Sequence, residues 1–290
     1  SDLIAPLSLV LDDCGIYFDP TQPSGLERIL LGSDFSEEEL ARAVAVLAFM
    51  VAHGITKYNL EPRQKAAWPS GGRPVVLVPG QVEDDASIRF GCTGVKTNLG
   101  LQQAARRAHP DAFIVYKPHP DVMSGNRAGK LALAQARGLA DHVEAQLSVV
   151  SCIEACDLVH TMTSLTGFDA LLRGKRVVVY GQPFYAGWGL TEDVLPDGVA
   201  FARRRQRGRA LTLDGLVAGT LLRYPIYWDW QLKGYTTCEA VLHRIVESRS
   251  ALEASGGLEK LRLGFARRQW RKLKILARTW VWGYAGQPGG

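Results

Sequence analysis

Between residues 74 and 181, short apolar runs alternate with amphipathic stretches, and this alternation leaves few folds open to the chain. Residues 75–78, 113–116, 158–161 and 176–180 read as strands, and 98–107, 127–137, 149–155 and 168–172 as helices. Apolar strands this short, set between helices, predict a parallel sheet covered on both faces. In such a sheet, ligands gather beyond the carboxyl ends of the strands. The residues that follow each run are therefore the first candidates for a site. At 290 residues there is room for about two domains. The Pro/Gly-rich joint from Trp68 to Pro74 marks a boundary, dividing the chain into 1–71, 72–235 and 236–290.

Composition excludes several classes. No uninterrupted apolar run of about 18 residues exists, so no membrane-spanning helix is expected. The opening Ser1-Asp2 lacks the basic region and apolar core of a signal peptide. Five cysteines without a CxxC pair argue against a disulfide framework or structural zinc and fit a reducing cytoplasm. Cys152 and Cys156, four apart, read as small core residues. The net charge of +5 sits in residues 251–290, which hold eight Lys/Arg against two Glu. The body is close to neutral and carries no recognition motif, so nucleic acid is not an expected partner.

Toward the start, residues 8–13 and 15–19 are two apolar runs separated by a turn and read as a hairpin or loop excursion. Ser36-Glu37-Glu38-Glu39 is a capping box that opens a helix closed by Gly54. Toward the end, a helix over 262–282 would place Phe265, Trp270, Leu273, Leu276 and Trp280 opposite Arg267, Arg271, Lys274 and Arg278. Such a helix suits an anionic membrane surface, although Ile275 falls on the wrong side. Packing of the apolar face on the protein explains the same pattern.

Four strand ends carry polar or aromatic residues. Phe113-Ile114-Val115-Tyr116 runs into Lys117-Pro118-His119-Pro120, an anion site in outline, though the prolines alone would stop a strand. Gln81 to Ser87 includes Glu83, Asp84 and Asp85, three carboxylates that are costly to hold together unless solvated, bound to a metal, or set for nucleophilic or proton chemistry. A plain acidic surface loop is the competing reading. Thr163, Ser164 and Thr166 stand at a helix start, where hydroxyls and backbone N–H groups suit a phosphate and equally suit ordinary capping. His160, within the preceding strand, reads as a core histidine. Gly181 to Thr191 sets Tyr185 and Trp188 among glycines, giving either stacking surfaces for a sugar or base or a packed loop.

Lys57-Tyr58-Asn59, Gln81 through Ser87, Tyr116-Lys117-Pro118-His119-Pro120, Thr163 through Asp169 and Gly181 through Thr191, in this order, resemble the bacterial capsular polysaccharide β-Kdo transferase family of the KpsC/LipA type. Pro6 to Leu31 looks like the same family near the beginning of its C-terminal transferase module. The resemblance implies an α/β, GT-B-like enzyme of two Rossmann-like lobes, the first incomplete, followed by C-terminal helices. It implies that CMP-Kdo is the donor, with no cofactor or metal, and that Kdo passes with retention onto a Kdo-glycolipid on a phosphatidylglycerol-type anchor. By the same resemblance Asp85 is the nucleophile, with Asp84 and Glu83 beside it as catalytic candidates. Lys117, His119, Thr163, Ser164, Thr166, Gln81 and Ser87 would hold the donor, and Lys57, Asn59, Tyr185 and Trp188 the substrate. Magnesium at the three carboxylates is the alternative. The family implies a cytoplasmic protein peripheral to the inner membrane, working with other capsule assembly proteins. Family members carry an acidic Glu-Asp-Gly motif upstream of the region Pro6 to Asp12 resembles, so the chain is expected to be a fragment. Two rivals remain: a transferase using CMP-activated sialic acid, and a non-catalytic nucleotide- or glycan-binding module.

Overall fold

A computed structural model of the chain describes residues 6–57, 63–123, 133–195, 197–208 and 210–255. Its centre is a six-stranded sheet formed by β2 (Val75–Pro79), β3 (Phe113–Lys117), β4 (His142–Val143), β5 (Leu158–Thr161), β6 (Arg176–Val179) and β7 (Glu192–Asp193). The spatial order is β4-β3-β2-β5-β6-β7, with every neighbouring pair parallel. Counted along this sheet, that is the 3-2-1-4-5-6 order of a Rossmann fold, whose direction of winding reverses between β2 and β5. β2 and β3 are buried at all five positions, which is why their sequences are continuous apolar runs without alternation.

Helices complete the layers: α3 (Ala86–Gly91), α4 (Asn98–Ala108), α5 (Pro120–Met123), α6 (Leu133–Leu139), α7 (Val149–Ala155), α8 (Leu165–Leu171) and α9 (Val199–Arg204). α8 begins three residues earlier than the apolar pattern indicates, because Ser164 caps it and accepts a hydrogen bond from Thr166 N–H. Of the helix expected over 127–137, residues 127–132 lie outside the described residues.

The N-terminal segment contributes β1 (Ser8–Leu9), α1 (Gly25–Gly32) and α2 (Glu37–Ala52). The Ser36 capping box forms as expected, with Ser36 Oγ accepting from Glu39 N–H and Glu39 Oε2 accepting from Ser36 N–H. Gly54, at φ +60°, turns the chain away after α2. Of the two readings of residues 8–19, a hairpin or a loop excursion, the hairpin does not form. Ser8 and Leu9 instead pair antiparallel with β8 (Ile226–Asp229), which also pairs with β9 (Gly234–Thr236). Asp12 breaks the local alternative: its carboxylate accepts from the backbone of Cys14, Gly15 and Gly25 and from Tyr224 Oη, bending the chain back.

Leu26, Leu30, Ala43, Val46 and Met50 share one apolar cluster with Val75, Phe184, Leu216, Val217 and Leu242. The core is therefore continuous across the Trp68–Pro74 joint. α10 (Leu213–Val217), a π-helical turn at Ala218–Arg223 and α11 (Cys238–Ala254) close it. No helix among the described residues is long and apolar enough to cross a membrane. The basic segment 262–282 lies outside them.

Candidate active site

A cavity of about 410 Å³ opens beyond the carboxyl ends of β2, β3, β5 and β6, at the point where the sheet's winding reverses. Residues following all four strands line it, together with Tyr17, Phe18, Thr56 and Lys57 from the N-terminal segment.

The loop after β2 is pinned before it reaches the cavity. Gln81 N–H donates to Asn98 Oδ1 at 2.8 Å, Asn98 Nδ2 donates to Gln81 O at 2.9 Å, and Asn98 N–H donates to Glu83 Oε1 at 2.6 Å. Glu83 is thereby tied to the start of α4, and Asp84 is exposed outside the lining. Of the three carboxylates expected to share the catalytic role, the structure brings Asp85 alone to the cavity. Asp85 caps α3, accepting at Oδ1 from Ser87 N–H at 2.9 Å and Ser87 Oγ at 2.8 Å. Among the described residues, Asp12, Asp13 and Cys14 are the acidic or thiol groups that gather three metal-ligand atoms within 4.8 Å, whereas Glu83, Asp84 and Asp85 do not converge.

After β3, Lys117 is buried, and its Nζ donates to Leu147 O at 2.6 Å while the side chain lines the cavity. Half-buried His119 follows, held by Pro118 and Pro120. After β5 come Thr163, Ser164 and Thr166, all in the lining; Ser164 Oγ donates to Thr166 Oγ1 at 3.1 Å. His160, completely buried, pairs with Tyr180 Oη at 3.0 Å, and burial lowers its pKa to about 3, as befits a core histidine.

The loop after β6 differs from expectation. Tyr185 and Trp188, expected as stacking surfaces for substrate, face the interior, 0% and 6% exposed. Tyr185 Oη donates to Ser164 O at 2.5 Å across Gly167, where an added Cβ would stand 2.4 Å from that hydroxyl. Trp188 Nε1 donates to Phe184 O and its ring lies under the Arg204 guanidinium. Each ring meets its polar need internally, so the loop is a packed support. Gln182, Pro183 and Phe184 reach the cavity in their place.

Three lining groups carry no role in the sequence patterns. Tyr17 and Phe18 sit in the run read as a hairpin or loop excursion, and Tyr17 meets Phe184 edge-on at 5.7 Å. Asp169 lies on α8, 7% exposed, and burial raises its pKa to about 7 against the opposing pull of Arg173. Its position inside the Thr163–Asp169 motif was the available signal. Lys57 lines the cavity, while Asn59 lies outside the described residues. The cavity thus presents the cations Lys57 and Lys117, with His119 beside them, against Asp85 and a carboxyl whose pKa burial raises to about 7, a balance that favours an anionic ligand.

Residues 64–227 match the family model described as capsule polysaccharide biosynthesis protein. The chain is 42% identical over 279 residues to the capsule polysaccharide modification protein LipA of Neisseria meningitidis serogroup B, covering 96% of the chain and 38% of the relative. It is 38% identical over 227 residues to the lipopolysaccharide-processing protein LpsZ of Rhizobium meliloti, covering 77% of the chain and 50% of that protein. The chain therefore spans half or less of the curated relatives it matches. Two solved structures from Thermosulfurimonas dismutans align over 84% of this chain and 74% of theirs. These are KpsC, beta Kdo 2,7 transferase, at 39% identity and TM-score 0.70, and KpsC, beta Kdo 2,4 transferase, at 31% identity and TM-score 0.72.

Proposed function

The chain belongs to the capsule polysaccharide biosynthesis protein family, in its KpsC/LipA-type branch with a GT-B-like fold, and from that premise we propose that it is a retaining glycosyltransferase moving β-Kdo from CMP-Kdo to a Kdo-glycolipid. One observation carries the reading: a single cavity holds an oriented carboxylate, Asp85, together with a buried cation, Lys117, and a ring of hydroxyls.

Lys117 and His119 hold the phosphate of CMP, with the Ser164 and Thr166 hydroxyls beside them, and offset the charge that grows there as CMP departs. Asp85 attacks the anomeric carbon from the opposite face; the new carboxylate–carbon bond forms as the bond to phosphate breaks, and its electron pair leaves with CMP. A hydroxyl of the acceptor then displaces Asp85, releasing its proton to solvent or to a base outside the described residues. Two inversions give net retention. The cations supply the positive charge that the leaving group requires, so the mechanism calls for no metal or cofactor. Tyr17, Phe18 and Lys57 form the side on which the acceptor sugar would lie. The acceptor is a Kdo chain on a phosphatidylglycerol-type lipid, which places the enzyme at the cytoplasmic face of the inner membrane among other capsule assembly proteins.

The test is mass spectrometry of the purified chain after incubation with CMP-Kdo and a synthetic Kdo acceptor, beside Asp85→Ala. Kdo added to the acceptor, or a Kdo adduct on the protein that disappears in Asp85→Ala, is the expected result. Product formation by a sialic acid donor instead of CMP-Kdo would move the enzyme to the rival donor class. Absence of product and adduct despite CMP binding would favour a binding module.

A further inference from the structure

Gln81, Thr163 and Ser87 form a chain of side chains that ends on Asp85, and the direction of each hydrogen bond can be fixed from elementary donor and acceptor rules. Thr163 N–H can only donate, and it lies 2.9 Å from Gln81 Oε1. The other end of that amide, Nε2, therefore faces Thr163 Oγ1 at 3.0 Å and must donate to it. At the far end, a carboxylate can only accept, so the Ser87 hydroxyl proton is committed to Asp85 Oδ1 at 2.8 Å. The 3.0 Å contact between Ser87 and Thr163 is then left with one possible proton, that of Thr163. Both ends impose the same polarity, Gln81 to Thr163 to Ser87 to Asp85. Gln81 and Thr163 are 6% and 7% exposed, so water offers their side chains little competition.

We infer that Thr163 is a positioning residue for Asp85, acting through Ser87, rather than a phosphate ligand. Its backbone and hydroxyl are both spent on the chain, and the hydroxyl proton points along it. The consequence lies at Asp85: Oδ1 is held by two donors, and among the described residues no hydrogen bond reaches Oδ2. In a residue that lines the cavity, this leaves Oδ2 as the oxygen available to a ligand. Because Gln81 belongs to the loop after β2 and Thr163 to the loop after β5, the chain also ties together the two sides of the sheet's reversal point, so the carboxylate's direction is set by the sheet itself. This inference rests on the proposed role of Asp85 as nucleophile.

The experiment compares wild type, Asp85→Ala, Ser87→Ala, Thr163→Val and Thr163→Ser. It reads the rate of Kdo adduct or product formation, KM for CMP-Kdo, and the calorimetric affinity for CMP. Thr163→Val is expected to slow the rate by about tenfold and Ser87→Ala by more, with KM and CMP affinity within about twofold of wild type, because only the carboxylate's aim is disturbed. Thr163→Ser, which keeps the hydroxyl, restores the rate. If Thr163 bound phosphate, Thr163→Val would weaken CMP binding and raise KM, and the inference would be overturned. It would equally be overturned by a rate unchanged in both Thr163→Val and Ser87→Ala. Retained activity in Asp85→Ala, or no adduct or product from wild type, would instead remove the underlying role of Asp85. Should Thr163→Val fail to fold, Ser87→Ala and Thr163→Ser carry the same comparison.

Discussion

The two walls of the cavity are held in different ways. The wall made by the loops after β2 and β5 is a lattice of directed hydrogen bonds among Gln81, Asn98, Thr163, Ser87 and Asp85, anchored to buried strands. A second stretch of the lining, Tyr17 and Phe18, belongs to no strand. Its rings touch edge-on, Tyr17 to Phe18 at 5.4 Å and Tyr17 to Phe184 at 5.7 Å, and Phe18 is 37% exposed. The segment that carries it is tied to a charge cluster, Arg203 Nη2 donating to Pro20 O at 2.8 Å and Gln22 O at 3.3 Å. Glu27 of α1 meets Arg203 at 2.5 Å and Arg204 at 3.3 Å, and Arg204 also donates to the carbonyls of Pro183 and Ala186. The contrast sets directed hydrogen bonds around Asp85 and leaves Tyr17 and Phe18 to ring contacts.

Breaking the charge cluster is the largest test of that contrast. In Arg204→Met, Glu27 keeps Arg203 but loses the partner buried with it, and two loop carbonyls lose their donor. Leaving a buried charge short of a partner costs about 3–5 kcal/mol, to be read in urea unfolding. The lattice wall should survive in the folded fraction, with CMP affinity unchanged there. Next in size, His119→Ala removes one charge-bearing or hydrogen-bonding contact to phosphate and should weaken CMP binding by about tenfold or more in calorimetry. An unchanged affinity would take His119 out of the donor site. Smaller again, Phe18→Ala removes an aromatic face from the cavity lining. KM for the acceptor should rise by about fivefold while CMP affinity stays level, since an aromatic contact of this kind contributes about 1 kcal/mol. Equal losses for donor and acceptor would show that the two walls do not divide the substrates.

The division also explains what could be read from sequence. Strands β2, β3, β5 and β6 are legible because a buried parallel strand must be continuously apolar, and Lys117, His119, Ser164 and Asp85 are legible because they follow such strands directly. Two-residue strands such as β4 and β7 have no pattern long enough to read. β1 pairs with Tyr227 and Ile226, more than 200 residues away, and no local signal reveals that partner. Tyr185 and Trp188 show a different limit: aromatics among glycines serve a ligand platform or a packed corner equally well. The choice is made by Gly167 and Arg204, contributed by other elements. Glu83 and Asp85 are alike in composition and opposite in use, because Asn98, fifteen residues beyond Glu83, draws Glu83 aside.

Asp169 gives the smallest effect and the most specific sign. It lines the cavity, buried, with Arg173 at 4.0 Å and no hydrogen bond to its carboxylate among the described residues. Burial holds its pKa at about 7, above the 3.8 of the unfolded chain. Between those values the native state keeps a proton that the unfolded state has lost. Stability from this group is therefore present below about pH 4 and is lost as pH rises toward 7. Asp169→Asn removes the titration and flattens that slope, so the difference in melting temperature between variant and wild type should move in the variant's favour from pH 5 to pH 7.5, by about 2–4 °C for each kcal/mol recovered. Parallel pH profiles for the two proteins would mean that Arg173 keeps Asp169 ionised throughout. The cavity would then carry two carboxylates at neutral pH, and its preference for an anion would rest on Lys57, Lys117 and His119 alone.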